Sequence, residues 1–116
     1  MPTHDPVVEI NAATLRQWIE QVRAVVVALR EPDEHARERI PGSRLVPLSR
    51  FDPAQVPAPP DANVVLHCKG GVRSAQAAAR LVGAGRAGVM HLKGGLDAWK
   101  SAGGPTEQNP RVPISI

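Results

Sequence analysis

Short blocks of apolar and polar residues alternate along the chain, and their periods predict strands and helices in turn. Short strands are predicted at residues 7–10, 24–29, 44–48 and 89–92, and one more in the apolar run that ends at Cys68. The run at 24–29 is continuous and rich in valine, which is typical of a strand buried on both faces of a parallel sheet. Pro47 marks the run at 44–48 as a strand end or a sheet edge.

Helical periods separate these strands. Pro32, followed by acids, predicts the start of a short helix, and the glycines at 94 and 95 lead into a final helix. Two further helices each present an apolar face at helical spacing. These faces consist of Leu15, Trp18, Ile19 and Val22 in the first helix, and of Ala75, Ala78, Ala79 and Val82 in the helix after Cys68. The small alanines would let that helix lie close to the sheet.

Strands that alternate with helices in a chain of 116 residues imply an α/β fold with a mainly parallel sheet. The proline-rich stretch 52–61 is interpreted as a connecting loop, because the pieces on either side are too small to bury a core alone. One domain, residues 1–116, is therefore expected. Ligands of such sheets bind beyond the carboxyl ends of the strands, where both Cys68 and Arg30 are expected.

The turn after the fourth predicted strand concentrates the candidate chemistry. Cys68 precedes a helix, so unpaired backbone N–H groups and the helix dipole would favour its thiolate form. Lys69 and Arg73 add positive charge. Gly70 and Gly71 are expected to turn with positive φ and to aim successive N–H groups at an anion. The turn could therefore hold a negatively charged group bonded to the sulfur of Cys68.

Composition narrows the possible functions. A single cysteine excludes an internal disulfide and a resolving thiol, and the four histidines share no spacing that indicates a metal site. The net charge of +3 comes with few aromatic residues, which argues against nucleic-acid binding. No apolar run is long enough to span a membrane, and the N-terminus lacks the pattern of a secretory signal. A cytoplasmic protein without metal or cofactor is expected.

Three separate motifs resemble single-domain rhodaneses, the sulfurtransferases that carry sulfane sulfur as a cysteine persulfide. The first is the active loop, residues 68–74, and the second combines residues 29–35 with Ile40-Pro41-Gly42-Ser43. The third is the Gly-Gly-x-x-Ala-Trp run at 94–99, followed by Gly103-Gly104-Pro105. The resemblance implies a three-layer α/β/α fold with five parallel strands. It also implies that residues 94–99 pack the last helix beside the active loop.

The resemblance implies a sulfurtransferase of the thiosulfate type, with Cys68 as nucleophile. The expected substrate-binding residues are Lys69, Gly70, Gly71, Val72, Arg73, Ser74 and Arg30. The partners would be a small anionic sulfur donor and a thiol, cyanide or protein acceptor, and the protein is expected to be a monomer. Family members commonly carry aspartate where this chain has Ala28, and often histidine where it has Arg39. The missing aspartate leaves the orientation of Arg73 or Arg30 open and is expected to leave the loop less braced.

Several alternatives share these residues. A tyrosine phosphatase signature places five residues between its cysteine and arginine, whereas this chain has four, and the shorter loop suits one sulfur atom better than a phosphate. An arsenate reductase would need a second cysteine. A non-catalytic rhodanese-like module and a sulfur carrier for one dedicated partner stay open. His67 is expected to pack behind the loop, because adjacent strand residues point to opposite faces.

Overall fold

The computed structural model describes residues 7–109. Five strands run in chain order: β1 (Val7–Ile10), β2 (Ala24–Ala28), β3 (Arg44–Leu45), β4 (Asn63–His67) and β5 (Val89–Leu92). Four α-helices lie between and after them: α1 (Ala12–Glu20), α2 (Pro32–Arg37), α3 (Val72–Gly83) and α4 (Gly95–Ser101). Short 3₁₀ turns occupy Leu48–Arg50 and Pro53–Gln55. The predicted order of elements is confirmed.

The strands form one parallel sheet in the order β1-β5-β4-β2-β3. The long pairing of β2 with β4 runs from Ala24 opposite Asn63 to Ala28 opposite His67. It therefore ends both strands at the same edge of the sheet, and the segments after them leave side by side. β3 lies at the sheet edge, as Pro47 indicated.

Helices cover both faces of the sheet, so the fold has three layers. Consecutive residues of the central strands belong to different cores: Val27 and Leu66 pack toward α3, whereas Val26 and Val65 pack toward α1 and α4. This alternation explains the valine-rich runs, because both faces of these strands are buried. Trp99 of α4 is 2 % exposed and donates a hydrogen bond from Nε1 to the carbonyl of Pro105.

The predicted face of α1 was wrong at its end. The helix stops at Glu20, and Val22 is 86 % exposed with a φ of 55°. The N–H of Arg23 reaches back to the carbonyl of Trp18, a closure that requires a left-handed residue just before it. Val22 occupies that position, so its side chain points into solvent.

The predicted face of α3 was wrong at two of its four positions, while Ala78 and Val82 do pack toward the core. Ala75 and Ala79 are exposed, and the buried positions are Ser74, Ala77, Ala78 and Leu81. The pattern missed Ser74 because a serine was counted as polar. Its hydroxyl is satisfied inside the protein, which lets the helix turn this residue inward.

The proline-rich stretch is a connecting loop, as expected. Phe51 just before it and Val56 in its middle are buried, and Arg86 donates hydrogen bonds to the carbonyls of Val56 and Pro57. Beyond α4 the chain returns to α2, where Arg39 and Glu107 pair through their backbones. By their apolar character Val112, Ile114 and Ile116 could pack against the body of the protein, but they lie outside the described residues. No helix within residues 7–109 is long and apolar enough to cross a membrane.

Candidate active site

Cys68 follows β4 directly and lies at the carboxyl edge of the sheet, four residues before α3 begins. The neighbouring strand β2 ends beside it, because the N–H of Leu29 donates to the carbonyl of His67 over 2.8 Å. This contact brings the segment with Arg30 next to the active loop. The residue Cys68 is 1 % exposed, so its sulfur sits within the turn rather than on the surface.

Hydrogen-bond donors surround the sulfur of Cys68. The N–H of Gly71 lies 3.0 Å from Sγ, and the hydroxyl of Ser74 lies 3.7 Å from it. Burial alone would raise the pKa of Cys68, but the backbone and hydroxyl of Ser74 and the backbones of Gly71 and Gly70 together lower it. The loop therefore favours a thiolate, the form that acts as a nucleophile.

Only one of the two loop glycines has the expected backbone. Gly71 has a φ of 104° and lies immediately before α3, whereas Gly70 is not among the residues with positive φ. The prediction that both glycines turn this way was wrong for Gly70. One left-handed residue suffices, because Gly71 alone reverses the chain into the helix while its N–H points at the sulfur.

The start of α4 anchors the active loop through its backbone. The N–H of Leu96 donates to the carbonyl of Cys68 over 2.8 Å, and that of Asp97 donates to the carbonyl of Lys69 over 3.0 Å. Gly95, with a φ of 59°, passes so close that a Cβ would lie 2.5 Å from the carbonyl oxygen of Cys68. The expected packing of residues 94–99 beside the loop is confirmed, and the close approach explains the glycine.

Arg73 is braced by Glu34, an acid at the start of α2 that no sequence pattern pairs with Arg73. Its guanidinium donates to both carboxylate oxygens, over 2.6 and 3.2 Å. The hydrogen bond from Arg73, followed by that from the backbone of Glu31, lowers the pKa of Glu34 from 4.5 to about 2. The orientation of Arg73, which the missing aspartate at Ala28 left open, is therefore set by Glu34.

Arg30 lies behind this pair and is 7 % exposed. It donates to the carbonyl of Glu38 over 2.6 Å and lies 3.6 Å from the carboxylate of Glu34. Arg30 and Glu34 therefore form an ion pair. Direct contact between Arg30 and a substrate stays a prediction.

The outer surface of the loop is formed by the side chains of Lys69 and Val72 and by Gly70, which are all exposed. Val72 is 71 % exposed, an unusual position for a large apolar residue. Lys69 forms no side-chain hydrogen bond or ion pair within residues 7–109. This surface is accessible to an incoming donor.

Two buried histidines flank the loop. His67 lies behind it, with Nδ1 3.2 Å from the carbonyl of Cys68, and burial lowers its pKa to about 4. His91 of β5 was missed by sequence reasoning. Its Nδ1 lies 3.1 Å from the hydroxyl of Ser74, which in turn faces Cys68. The sequence held no signal for this contact, because the two residues meet only when α3 packs on β5.

Fold and loop together define a parallel α/β protein with a buried thiol, contacted by backbone N–H groups, in a strand-to-helix turn. The model of the Rhodanese-like domain family matches residues 11–102, so the chain belongs to the rhodanese-like family. The solution structure of the rhodanese-like domain of the Anabaena sp. Alr3790 protein has a TM-score of 0.76 at 27% identity, covering 97% of this chain and 88% of that one. The five-stranded rhodanese fold is thereby confirmed.

Sequence comparison also finds relatives, one of which has a name that fits this family. A protein of Allochromatium vinosum named sulfurtransferase is 35% identical over 98 residues, which cover 84% of this chain and 92% of that protein. The uncharacterized Synechocystis protein slr1261 is 42% identical over 109 residues, which cover 94% of this chain. The matched region spans only 61% of the length of slr1261.

Proposed function

We propose that this protein is a sulfurtransferase that carries sulfane sulfur as a persulfide on Cys68, with thiosulfate as donor. The observation that carries the proposal is the N–H of Gly71 at 3.0 Å from Sγ, in a turn where further donors lower the pKa of Cys68. In the persulfide the single negative charge moves from Sγ to the terminal sulfur, which lies at the same loop, where the same kind of donor can stabilise it.

In the first step the Cys68 thiolate attacks the outer sulfur of thiosulfate. A bond forms between the two sulfur atoms, while the bond to the sulfonate sulfur breaks and its electron pair leaves with sulfite. In the second step an acceptor such as cyanide or a thiolate attacks the terminal sulfur of the persulfide. The Cys68 thiolate is then released with the electron pair, and no cofactor is needed.

In this proposal the residues of the loop have different roles in binding the donor and stabilising the sulfur. The backbone N–H groups of Gly70, Gly71 and Ser74 would stabilise the thiolate and the persulfide anion. Lys69 is exposed and would attract the anionic donor, whereas Arg73 holds the loop through Glu34 and adds positive charge beside it. Val72 would contact the donor or acceptor at the mouth of the site. In this proposal Arg30 supports Glu34 from behind, and its direct contact with the substrate stays a prediction.

The test is the transfer of one sulfur atom. Incubation with thiosulfate should add one sulfur to the protein, as seen by intact mass, and cyanide should then remove it as thiocyanate. Cys68→Ser should abolish both, because the hydroxyl of serine is not ionised at neutral pH and does not carry sulfane sulfur. Repeated turnover would distinguish an enzyme from a binding module. Sulfur loading that persists in the serine variant would overturn the proposal.

A further inference from the structure

The hydroxyl of Ser74 lies at the centre of a chain of polar contacts that starts at the thiol. Its Oγ is 3.7 Å from Cys68 Sγ, 3.1 Å from His91 Nδ1 and 3.2 Å from the carbonyl of Gly71. A hydroxyl has one proton to donate and two lone pairs to accept with. It can therefore accept a proton from one neighbour while it donates its own to another.

The far side of the His91 ring meets a carboxylate. Glu9 stands directly opposite His91 in the pairing of β1 with β5, and its Oε2 lies 3.6 Å from Nε2. His91 is 6 % exposed, so the ring is held between Ser74 and Glu9 with little access to water. The charge of this carboxylate favours a proton on Nε2, the nearer ring nitrogen, and so leaves Nδ1 able to accept one.

We propose that His91 takes up, through Ser74, the proton that Cys68 loses when its thiolate forms. The Cys68 proton passes to Ser74 Oγ while the proton of that hydroxyl passes to His91 Nδ1. The products are a thiolate, an unchanged hydroxyl and an imidazolium that faces Glu9, so charge and atoms balance. Ser74 and His91 are positioning residues in this scheme, and only its use in sulfur transfer rests on the proposed function.

Other charged groups around the thiol are less suited to receive this proton. They are Glu9 of β1, Arg30 after β2, Glu34 of α2, His67 of β4, Lys69 of the loop, Arg73 of α3 and Asp97 of α4. Glu34 is held by Arg73, and His67 faces the carbonyl of Cys68 rather than its sulfur. His91 has a ring nitrogen that connects to the sulfur through a single hydroxyl.

The experiment follows the reaction of Cys68 with iodoacetamide, a neutral reagent, as a function of pH. His91→Gln keeps a polar side chain at this position but takes up no proton. The rate at neutral pH should fall about tenfold in this variant, the size of one charge-assisted hydrogen bond, and the pH profile should move to higher pH. Ser74→Ala should have a similar effect. The double variant should be no slower than the slower single variant, because both changes interrupt one path.

The chain offers a matched control. His35 Nε2 lies 3.0 Å from the hydroxyl of Ser43, so it forms a second histidine–serine pair, but no thiol completes it. His35→Gln should leave the pH profile of Cys68 unchanged. An unchanged profile in His91→Gln, an equal shift in His35→Gln, or additive effects in the double variant would each overturn the proposal.

A second measurement needs no substitution in the chain of contacts. Alkylation of Cys68 in the unmodified protein should change the ring ¹⁵N chemical shifts of His91, because the neutral adduct no longer requires an imidazolium, while those of His35 should stay as they are. Unchanged His91 shifts would contradict the proposal even where a variant fails to fold. Failure of thiosulfate to load Cys68 would remove the proposed function alone, since the alkylation profile is independent of sulfur transfer.

Discussion

The active loop has an anchored side and an open side, and the two differ in how their groups are engaged. The anchored side consists of the carbonyls of Cys68 and Lys69, held by α4, and of the Arg73 guanidinium, held by Glu34. The open side consists of Gly70 and the exposed side chains of Lys69 and Val72. The two sides differ even within Lys69. Its carbonyl accepts a hydrogen bond from α4, whereas its side chain is exposed to solvent.

This division explains why two cations near one thiol are not equivalent. Both terminal nitrogens of Arg73 donate hydrogen bonds to Glu34, in the bidentate geometry that suits guanidinium and carboxylate. Lys69 keeps a flexible point charge in solvent. Changes on the anchored side should therefore affect stability and loop geometry, and changes on the open side should affect the rate of anion capture.

The largest effect is expected for Gly95→Ala on the anchored side. A Cβ there would lie 2.5 Å from the carbonyl of Cys68, and backbone atoms leave it no flexible neighbour to displace. Overpacking and the left-handed backbone should together destabilise the protein by about 3 kcal/mol in urea unfolding. Reaction of Cys68 with iodoacetamide should also slow.

Gly88→Ala is the matched control, because Gly88 has a φ of 65° with nothing within 4 Å of a Cβ. This variant should lower the free energy of unfolding by only about 1 kcal/mol, the cost of a left-handed backbone for alanine. The reactivity of Cys68 should not change. Equal losses in the two variants would show that α4 does not hold the loop by close approach.

A smaller effect is expected for Glu34→Gln, which releases Arg73. The pKa of Glu34 is about 2 when folded, below its ordinary 4.5, so its carboxylate stabilises the fold above pH 4.5 and this contribution fades as pH falls toward 2. The variant should be less stable than the unmodified protein at pH 7, and the difference should shrink in acid. Asp33→Asn is the control, because the neighbouring Asp33 forms an exposed ion pair with Arg37, and its loss should change stability little. A constant difference across this range would mean that the ion pair does not stabilise the loop.

On the open side, Lys69→Ala should slow persulfide formation from thiosulfate by a few-fold, since an exposed cation steers an anion over a Debye length of about 8 to 10 Å. Added salt should slow the unmodified protein more than the variant. Lys100→Ala, in the last turn of α4, should have no such effect. Equal salt dependence for thiosulfate and for neutral iodoacetamide would indicate that Lys69 does not capture the donor.

The smallest signal is expected for hydrolysis of aryl phosphates. Four residues separate Cys68 from Arg73, and Arg73 is already engaged by Glu34, so a phosphate would find few free donors. Steady-state assays should detect negligible phosphatase activity. Robust hydrolysis that depends on Cys68 would overturn the choice of sulfur over phosphoryl transfer.

Local sequence patterns were enough to predict the order of strands and helices and the turn that carries Cys68. The run at 24–29 predicted a doubly buried strand, and residues 68–74 predicted a thiol among N–H donors at a helix start. Both depend on features that lie close together in the chain: side-chain period, the position of a glycine, and the unpaired donors of a helix N-terminus. The family resemblance of the three motifs came from the same local information.

Tertiary structure decided how separate segments complete the site. Glu34 is 39 residues from Arg73, and His91 is 17 residues from Ser74, so neither partner could be assigned from spacing. The inward turn of Ser74 depends on acceptors that other elements supply, and the left-handed Val22 depends on how α1 closes. Sequence alone placed Cys68 and its turn at the start of a helix, because these features are local. The contacts of Arg73 with Glu34, of α4 with the loop carbonyls and of His91 with Ser74 were set by the packing of helices on the sheet.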